Sequence, residues 1–102
     1  MTELCRLGAG IAGKDCDIRL TEVHHTKKKD APSGTARSLC RVLGLNPEDE
    51  TAVQSLRMGT VYGEHTVYFA MEDEVVEVRH TALSKKIFAI GALEAGKKLM
   101  ND

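Results

Sequence analysis

Between Glu22 and Ala36 the chain carries two adjacent imidazoles, three consecutive ammonium groups and a hydroxyl-glycine-hydroxyl triplet, in the order Glu22-Val23-His24-His25-Thr26-Lys27-Lys28-Lys29-Asp30-Ala31-Pro32-Ser33-Gly34-Thr35-Ala36. Imidazole exchanges protons near neutral pH, so His24 or His25 can serve as a general acid or base. Lys27, Lys28 and Lys29 bring full positive charge within reach of an anion. Ser33 directly precedes the helically spaced apolar run Ala36, Leu39, Cys40 and Leu43, and so reads as the N-cap of a helix that starts at about Gly34. A helix start presents N–H groups without intrahelical partners, together with the positive end of the peptide dipoles. Gly34 leaves room for a carboxylate or phosphate to approach those groups, and the hydroxyls of Ser33 and Thr35 can add hydrogen bonds. The chemistry these residues support is capture of an anion, with a proton donor at the lip of the pocket.

Such a site needs elements to hold it. Ile18 and Leu20 alternate with Arg19 and Thr21 along Asp17 to Val23, which predicts a half-buried strand ending at the histidines. Pro32 then restricts Ala31 to extended backbone before the helix begins. From Val53 onward the alternation is again that of strands: Gln54, Leu56 and Met58 against Ser55 and Arg57; Val67, Phe69 and Met71 against Thr66, Tyr68 and Ala70; Val76, Val78 and His80 against Glu77 and Arg79. The short polar link Glu72-Asp73-Glu74 makes the last two strands an antiparallel hairpin, and Gly59 and Gly63 permit a bend around Val61-Tyr62. At the amino end Leu4, Leu7 and Ile11 share one face of an amphipathic helix weakened by Gly8 and Gly10. At the other end Ser84 caps a helix with the stripe Phe88, Ala92, Ala95 and Leu99. The expectation is an α+β fold, a mixed four-stranded sheet with helices on one face and an open, apolar face available for oligomerisation.

Length and composition set bounds. The 102 residues amount to a single domain, 1–102, that is 42% hydrophobic but only 4% aromatic, so its core is modest and oligomerisation would supplement it. A net charge of −1 gives no support to a nucleic-acid partner. No apolar run is long enough to span a membrane, and the amino terminus lacks the layout of a secretory signal, so a cytoplasmic protein is expected. Cys5, Cys16 and Cys40 are odd in number and form no Cys-x-x-Cys pair, which suits free thiols in a reducing compartment. Cys5 and Cys40 fall on apolar helix faces; Cys16 lies in a turn and is the most reactive candidate.

Two further patterns are set aside. Gly8-Ala9-Gly10-Ile11-Ala12-Gly13 matches G-x-G-x-x-G, but a dinucleotide site needs a strand before the glycines and a helix after them, whereas the residues before Gly8 are helical in pattern and a turn and strand follow. Cofactor-binding residues are therefore not assigned. His65 and His80 each stand alone in a strand or turn, so a metal site with His24 and His25 is not assigned, and Glu64 is the expected partner orienting His65.

The string Glu22-x-His24-His25-x-x-Lys28-x-Asp30-Ala31-Pro32-Ser33-Gly34-Thr35-Ala36 resembles the signature of the 4-hydroxy-tetrahydrodipicolinate (dihydrodipicolinate) reductases of lysine (diaminopimelate) biosynthesis. Arg57-x-Gly59-x-Val61-x-Gly63-Glu64-His65-Thr66-Val67-x-Phe69, Glu77-Val78-x-His80-x-Ala82 and Phe88-Ala89-x-Gly91-Ala92 are similar in order and spacing to the second half of that family. The resemblance covers the substrate-binding and tetramerisation domain. It implies that His24 and Lys28 are the catalytic acid pair, that His25 helps to bind substrate, and that Ser33, Gly34 and Thr35 hold a carboxylate of a dicarboxylate ring. It implies NADPH or NADH in the full-length enzyme, none on this stretch, since the N-terminal dinucleotide-binding domain of the family is absent between Met1 and Asp102. It further implies a homotetramer built on the open sheet face, and a stretch that does not turn over by itself. The alternative is a non-catalytic assembly domain whose anion pocket is incomplete without the missing half. The chain departs from the family in a short loop between Gly44 and Ser55, and in having Lys85 or Lys86 where an arginine is usual.

Overall fold

The computed structural model describes residues 1–84. The expected final helix and Lys85 and Lys86 lie outside the described residues. Six elements follow in the order α1 (Thr2–Ala12), β1 (Asp17–His24), α2 (Gly34–Leu43), β2 (Val53–Arg57), β3 (Gly63–Met71) and β4 (Glu74–Ala82). The strands form one sheet in the order β2-β1-β3-β4, with β2 parallel to β1 and the other neighbours antiparallel. The mixed α+β sheet expected from the sequence is the one observed, and β3 and β4 are joined by a two-residue turn in which Asp73 has φ 63°.

Ser33 caps α2 as expected: its Oγ accepts the amide of Ala36 at 3.2 Å. All four predicted inward residues, Ala36, Leu39, Cys40 and Leu43, are buried. Gly44 ends the helix at φ 73°, a left-handed conformation that costs glycine little, and the Leu45 amide closes back onto the Cys40 carbonyl at 2.9 Å. This face meets Leu20, Val53, Val67 and Phe69 of the sheet, and Cys5 joins them from α1. Burial of each large aliphatic side chain there contributes about 1.5–3 kcal/mol. Cys5 and Cys40 thus behave as small hydrophobes, and burial raises both thiols above the ordinary cysteine value.

Two sequence patterns are given their orientation by the structure, and one expectation is corrected. Leu4, Leu7 and Ile11 do share a face of α1, but it points outward, with exposures of 59%, 61% and 77%. The helix instead approaches the sheet through Cys5, Gly8 and Ala9; a Cβ at Gly8 would lie 2.9 Å from the Phe69 ring, so small residues set the closeness of the packing. In β2 the inward side is Val53, Ser55 and Arg57, in register with Leu20, Glu22 and His24, while Leu56 and Met58 fall on the opposite side and are about half exposed. Finally, the sheet face turned away from α1 and α2 is mostly polar rather than apolar. Strand alternation puts Arg19, Thr21, Gln54, Glu64, Thr66, Tyr68, Glu77, Arg79 and Thr81 there beside the apolar Val23, Leu56, Ala70 and Val75, with Arg79 reaching Glu64 at 3.5 Å and Thr21 meeting the Tyr68 hydroxyl at 3.5 Å.

Candidate functional site

His24 is the last residue of β1, and α2 begins ten positions later on the same side of the sheet. The intervening loop is tied down at both ends. Backbone bonds Met58 N to His24 O (2.9 Å) and Thr26 N to Gly59 O (3.2 Å) extend the β1–β2 pairing past the strand ends, and the Lys28 amide donates to His25 O at 3.1 Å. The result is a cleft of about 380 Å³ lined by His24, His25, Lys28, Ser33, Gly34, Thr35 and Tyr62. Both histidines, Lys28 and the Ser33-Gly34-Thr35 triplet therefore line one cavity, whereas Lys27 and Lys29 are not part of its lining. A second cleft of similar volume, beside β2, carries Glu48 and Glu50 in its lining, which suits an anion poorly.

At the helix start the amides of Ala36 and Arg37 are taken by Ser33 Oγ and Ser33 O. The first-turn amides of Gly34 and Thr35 remain for a ligand. Gly34 is exposed and a Cβ there would meet nothing within 4 Å. Ser33 differs from the sequence expectation. It is buried, its amide donates to Glu22 Oε1 at 3.1 Å and its hydroxyl lies 3.2 Å from His65 Nε2, so its amide and its hydroxyl both have partners within the protein. Ser33 shapes the pocket while Gly34 and Thr35 face it.

Beneath the cleft lies a buried polar layer. Glu22 has no exposed surface; its Oε2 accepts Nδ1 of His24, and its Oε1 accepts Arg57 Nη2 at 2.9 Å as well as the Ser33 amide. Arg57 also donates to the carbonyls of Lys28 (3.2 Å) and Asp30 (2.6 Å). Burial alone would push the Glu22 carboxyl up, but hydrogen bonds from Arg57 and Ser55, the Arg57 charge and the Ser33 amide together hold it below its ordinary value, so it is ionised at neutral pH. Burial lowers His24 below the ordinary histidine value against the pull of Glu22, with the Arg57 and Lys28 charges acting in the same sense as burial. His65 packs edge-on to His24 with ring centroids 5.2 Å apart, and burial takes it down to about 4. Lys28 Nζ pairs with Asp30 at 3.2 Å, and that hydrogen bond holds the Asp30 carboxyl below its usual range.

Glu22, His24 and His65 bring donor atoms within 4.8 Å of one another, a set able to ligate zinc in principle. Each is already satisfied by a protein partner, however, and the Arg57 guanidinium on Glu22 opposes a cation. Glu64, the expected partner of His65, is next to it in β3 and so projects from the other face, where it pairs with Arg79. Gly8 to Ala12 of the G-x-G-x-x-G pattern lie on α1 and Gly13 caps it, so they form no strand-turn-helix cradle for a dinucleotide.

The family model described as "Dihydrodipicolinate reductase, C-terminus" matches residues 1–102. The chain belongs to this family. Relatives described as 4-hydroxy-tetrahydrodipicolinate reductase include one from Thermosipho africanus, 48% identical over 85% of this chain and 38% of the relative. One from Exiguobacterium sibiricum is 41% identical over 98% of this chain and 46% of its own length. The chain thus spans less than half the length of these relatives. Its fold is similar to that of dipicolinate-bound dihydrodipicolinate reductase from Paenisporosarcina sp. TG-14, with a TM-score of 0.69 at 24% identity, covering 90% of this chain and 43% of that one. Like the sequence motifs, the family match spans both halves of the chain, the signature around His24 and the strands that follow.

Sequence reasoning gave Glu22 and Arg57 no role and missed the part of His65 in the site. The alternation of β1 already placed Glu22 on the face of His24, and that of β2 placed Arg57 with Val53; the signal lacking was the register that sets Glu22 opposite His65.

Proposed function

We propose that this chain is the substrate-binding domain of a 4-hydroxy-tetrahydrodipicolinate reductase, an NAD(P)H-dependent oxidoreductase of lysine (diaminopimelate) biosynthesis, and that the cleft holds the dicarboxylate ring of the substrate. The observation that carries this reading is the convergence of His24, His25, Lys28, Gly34 and Thr35 on one cavity at the start of α2. One carboxylate is received by the Gly34 and Thr35 amides and the Thr35 hydroxyl, where the helix end favours negative charge. The second draws Lys28 away from Asp30, with His25 beside it. Two incoming negative charges favour protonation of the nearby His24, which together with Lys28 forms the proton-donating pair.

Reduced nicotinamide supplies hydride in this chemistry. The G-x-G-x-x-G glycines, lying on and just after α1, form no cradle for it, and the roles assigned to this chain are binding the ring, orienting it and holding a proton. A cytoplasmic homotetramer using the open sheet face is part of the proposal; no helix among the described residues is long and apolar enough to cross a membrane.

Chemical-shift mapping with pyridine-2,6-dicarboxylate (dipicolinate), a planar analogue of the substrate, tests the reading. Saturable shifts centred on His24, Lys28, Gly34 and Thr35 are expected, with inorganic phosphate competing weakly. Equal competition by phosphate would favour a phosphate-binding module instead. A folded chain that shows no shifts would point to an assembly domain whose pocket is incomplete by itself.

A further inference from the structure

The buried layer under the cleft specifies where the proton on His24 sits. Besides Ser55, three groups converge on the Glu22 carboxylate, and two of them, the Ser33 amide and the Arg57 guanidinium, can only donate. An ionised carboxylate can only accept. The third contact, to His24 Nδ1, must therefore also be a donation, which puts the ring hydrogen on Nδ1. Nε2 then carries the lone pair in the neutral ring. No protein partner is found for Nε2 among the described residues, and no buried side-chain nitrogen or oxygen lacks one, so Nε2 is open to the cleft that His24 lines.

Arg57 links this carboxylate to the loop that carries the second member of the pair. Its Nη2 is shared between Glu22 Oε1 and the Asp30 carbonyl, and its Nε holds the Lys28 carbonyl. Its side chain is 17% exposed, and it stands beside His24 in the parallel β1–β2 register. One planar guanidinium thereby fixes the distance between β1, which ends in His24, and the backbone that carries Lys28. A point charge on a flexible stem could not hold all three acceptors at once.

We propose that Glu22 and Arg57 are positioning residues for this site: Glu22 sets His24 in the Nδ1–H tautomer so that Nε2 takes and returns the proton used in the cleft, and Arg57 fastens the Lys28 loop to the same carboxylate. The statement about the occupant of the cleft rests on the reading above; the tautomer and the loop anchor do not. The charged and titratable groups around His24 are Glu22, Arg57, Lys28 and the edge-on His65 ring, and of these Glu22 alone contacts Nδ1.

The test uses the full chain with 15N-labelled histidine. Two-bond correlations from the ring carbon protons of His24 are expected to show a pyrrole-type Nδ1 and a pyridine-type Nε2. In Glu22→Gln the carboxamide oxygen is expected to keep its bonds to Ser33 and Arg57, turning its NH2 toward Nδ1 and inverting the tautomer, an outcome that a purely structural role would not produce. A wild-type His24 protonated at Nε2 overturns the proposal even where Glu22→Gln does not fold. In Arg57→Lys the His24 tautomer should be unchanged, while exchange of the Lys28 amide accelerates and affinity for pyridine-2,6-dicarboxylate falls, each by about tenfold. Unchanged exchange at Lys28 overturns the part assigned to Arg57. Failure of wild type to bind the probe, with the tautomer and the loop anchor as stated, would instead contradict the function proposed for the cleft.

Discussion

Burial of His65 ties the stability of the fold to pH. Its ring is 2% exposed, packed against His24 and engaged by Ser33, and its folded value of about 4 lies well below the ordinary 6.5. Between these two values the unfolded chain binds a proton that the folded chain refuses, so unfolding becomes easier as pH falls. Stability from this group is fully present above pH 6.5 and is lost progressively on acidification toward pH 4, the whole interval corresponding to about 3 kcal/mol. His24 is lowered in the same direction and adds to the loss below its ordinary value. Glu22 acts in a separate window: its depressed carboxyl retains its stabilisation above pH 4.5 and loses it only below that. Urea unfolding at pH 7.5, 6.5, 5.5 and 4.5 reads the effect on wild type and on His65→Gln. Absolute stability will differ between the two because packing changes, so the slope with pH is the informative quantity, and it should be much shallower in the variant. Equal slopes, or a His65 ring that titrates near 6.5 by NMR, would refute the reasoning.

Further consequences follow from single positions. Gly34→Ala places a methyl group where the protein has nothing within 4 Å, so it should leave the fold intact or stabilise it by up to about 1 kcal/mol, yet weaken binding of pyridine-2,6-dicarboxylate; thermal melts and titration should move in opposite directions. Gly8→Ala forces a Cβ onto the buried Phe69 ring and should cost about 1–3 kcal/mol in urea unfolding, and a neutral result would show that α1 can withdraw from the sheet. Arg57→Met leaves the Glu22 charge buried without its guanidinium and should destabilise by about 3–5 kcal/mol at neutral pH, with part of the loss recovered near pH 4 as the carboxyl protonates. Measured unfolding free energies at the two pH values check this.

What could be read from the sequence divides along local and non-local lines. The start of α2 was legible because its signals, Pro32, the Ser33 cap and the apolar spacing from Ala36, lie within a dozen residues. The cleft-lining residues from His24 to Thr35 stood out for the same reason, since they occupy one continuous stretch, whereas Tyr62 comes to the cleft from elsewhere in the chain. The outward turn of Leu4, Leu7 and Ile11 was not, since hydrophobicity describes a stripe but not whether it finds a partner; the close approach of Gly8 to Phe69 decided the orientation of α1. The polar character of the open sheet face rests on the outward residues of β1, β3 and β4, including Arg19, Glu64, Glu77 and Arg79, whereas the alternation of β2 puts the apolar Leu56 on that same face. The commitment of Ser33 to Glu22 and His65 depends on the β1–β3 register, a contact 32 residues away in sequence for the hydroxyl and invisible to any local pattern.

The central claim is that the start of α2 and the lysine beside it form a dicarboxylate site. Calorimetric titration of the folded chain with pyridine-2,6-dicarboxylate, in parallel with Thr35→Val and Lys28→Ala, tests it most directly. Saturable binding by wild type, weakened about tenfold or more in each variant, is the predicted result. Binding that neither substitution affects would contradict the account, as would the absence of binding by a folded chain.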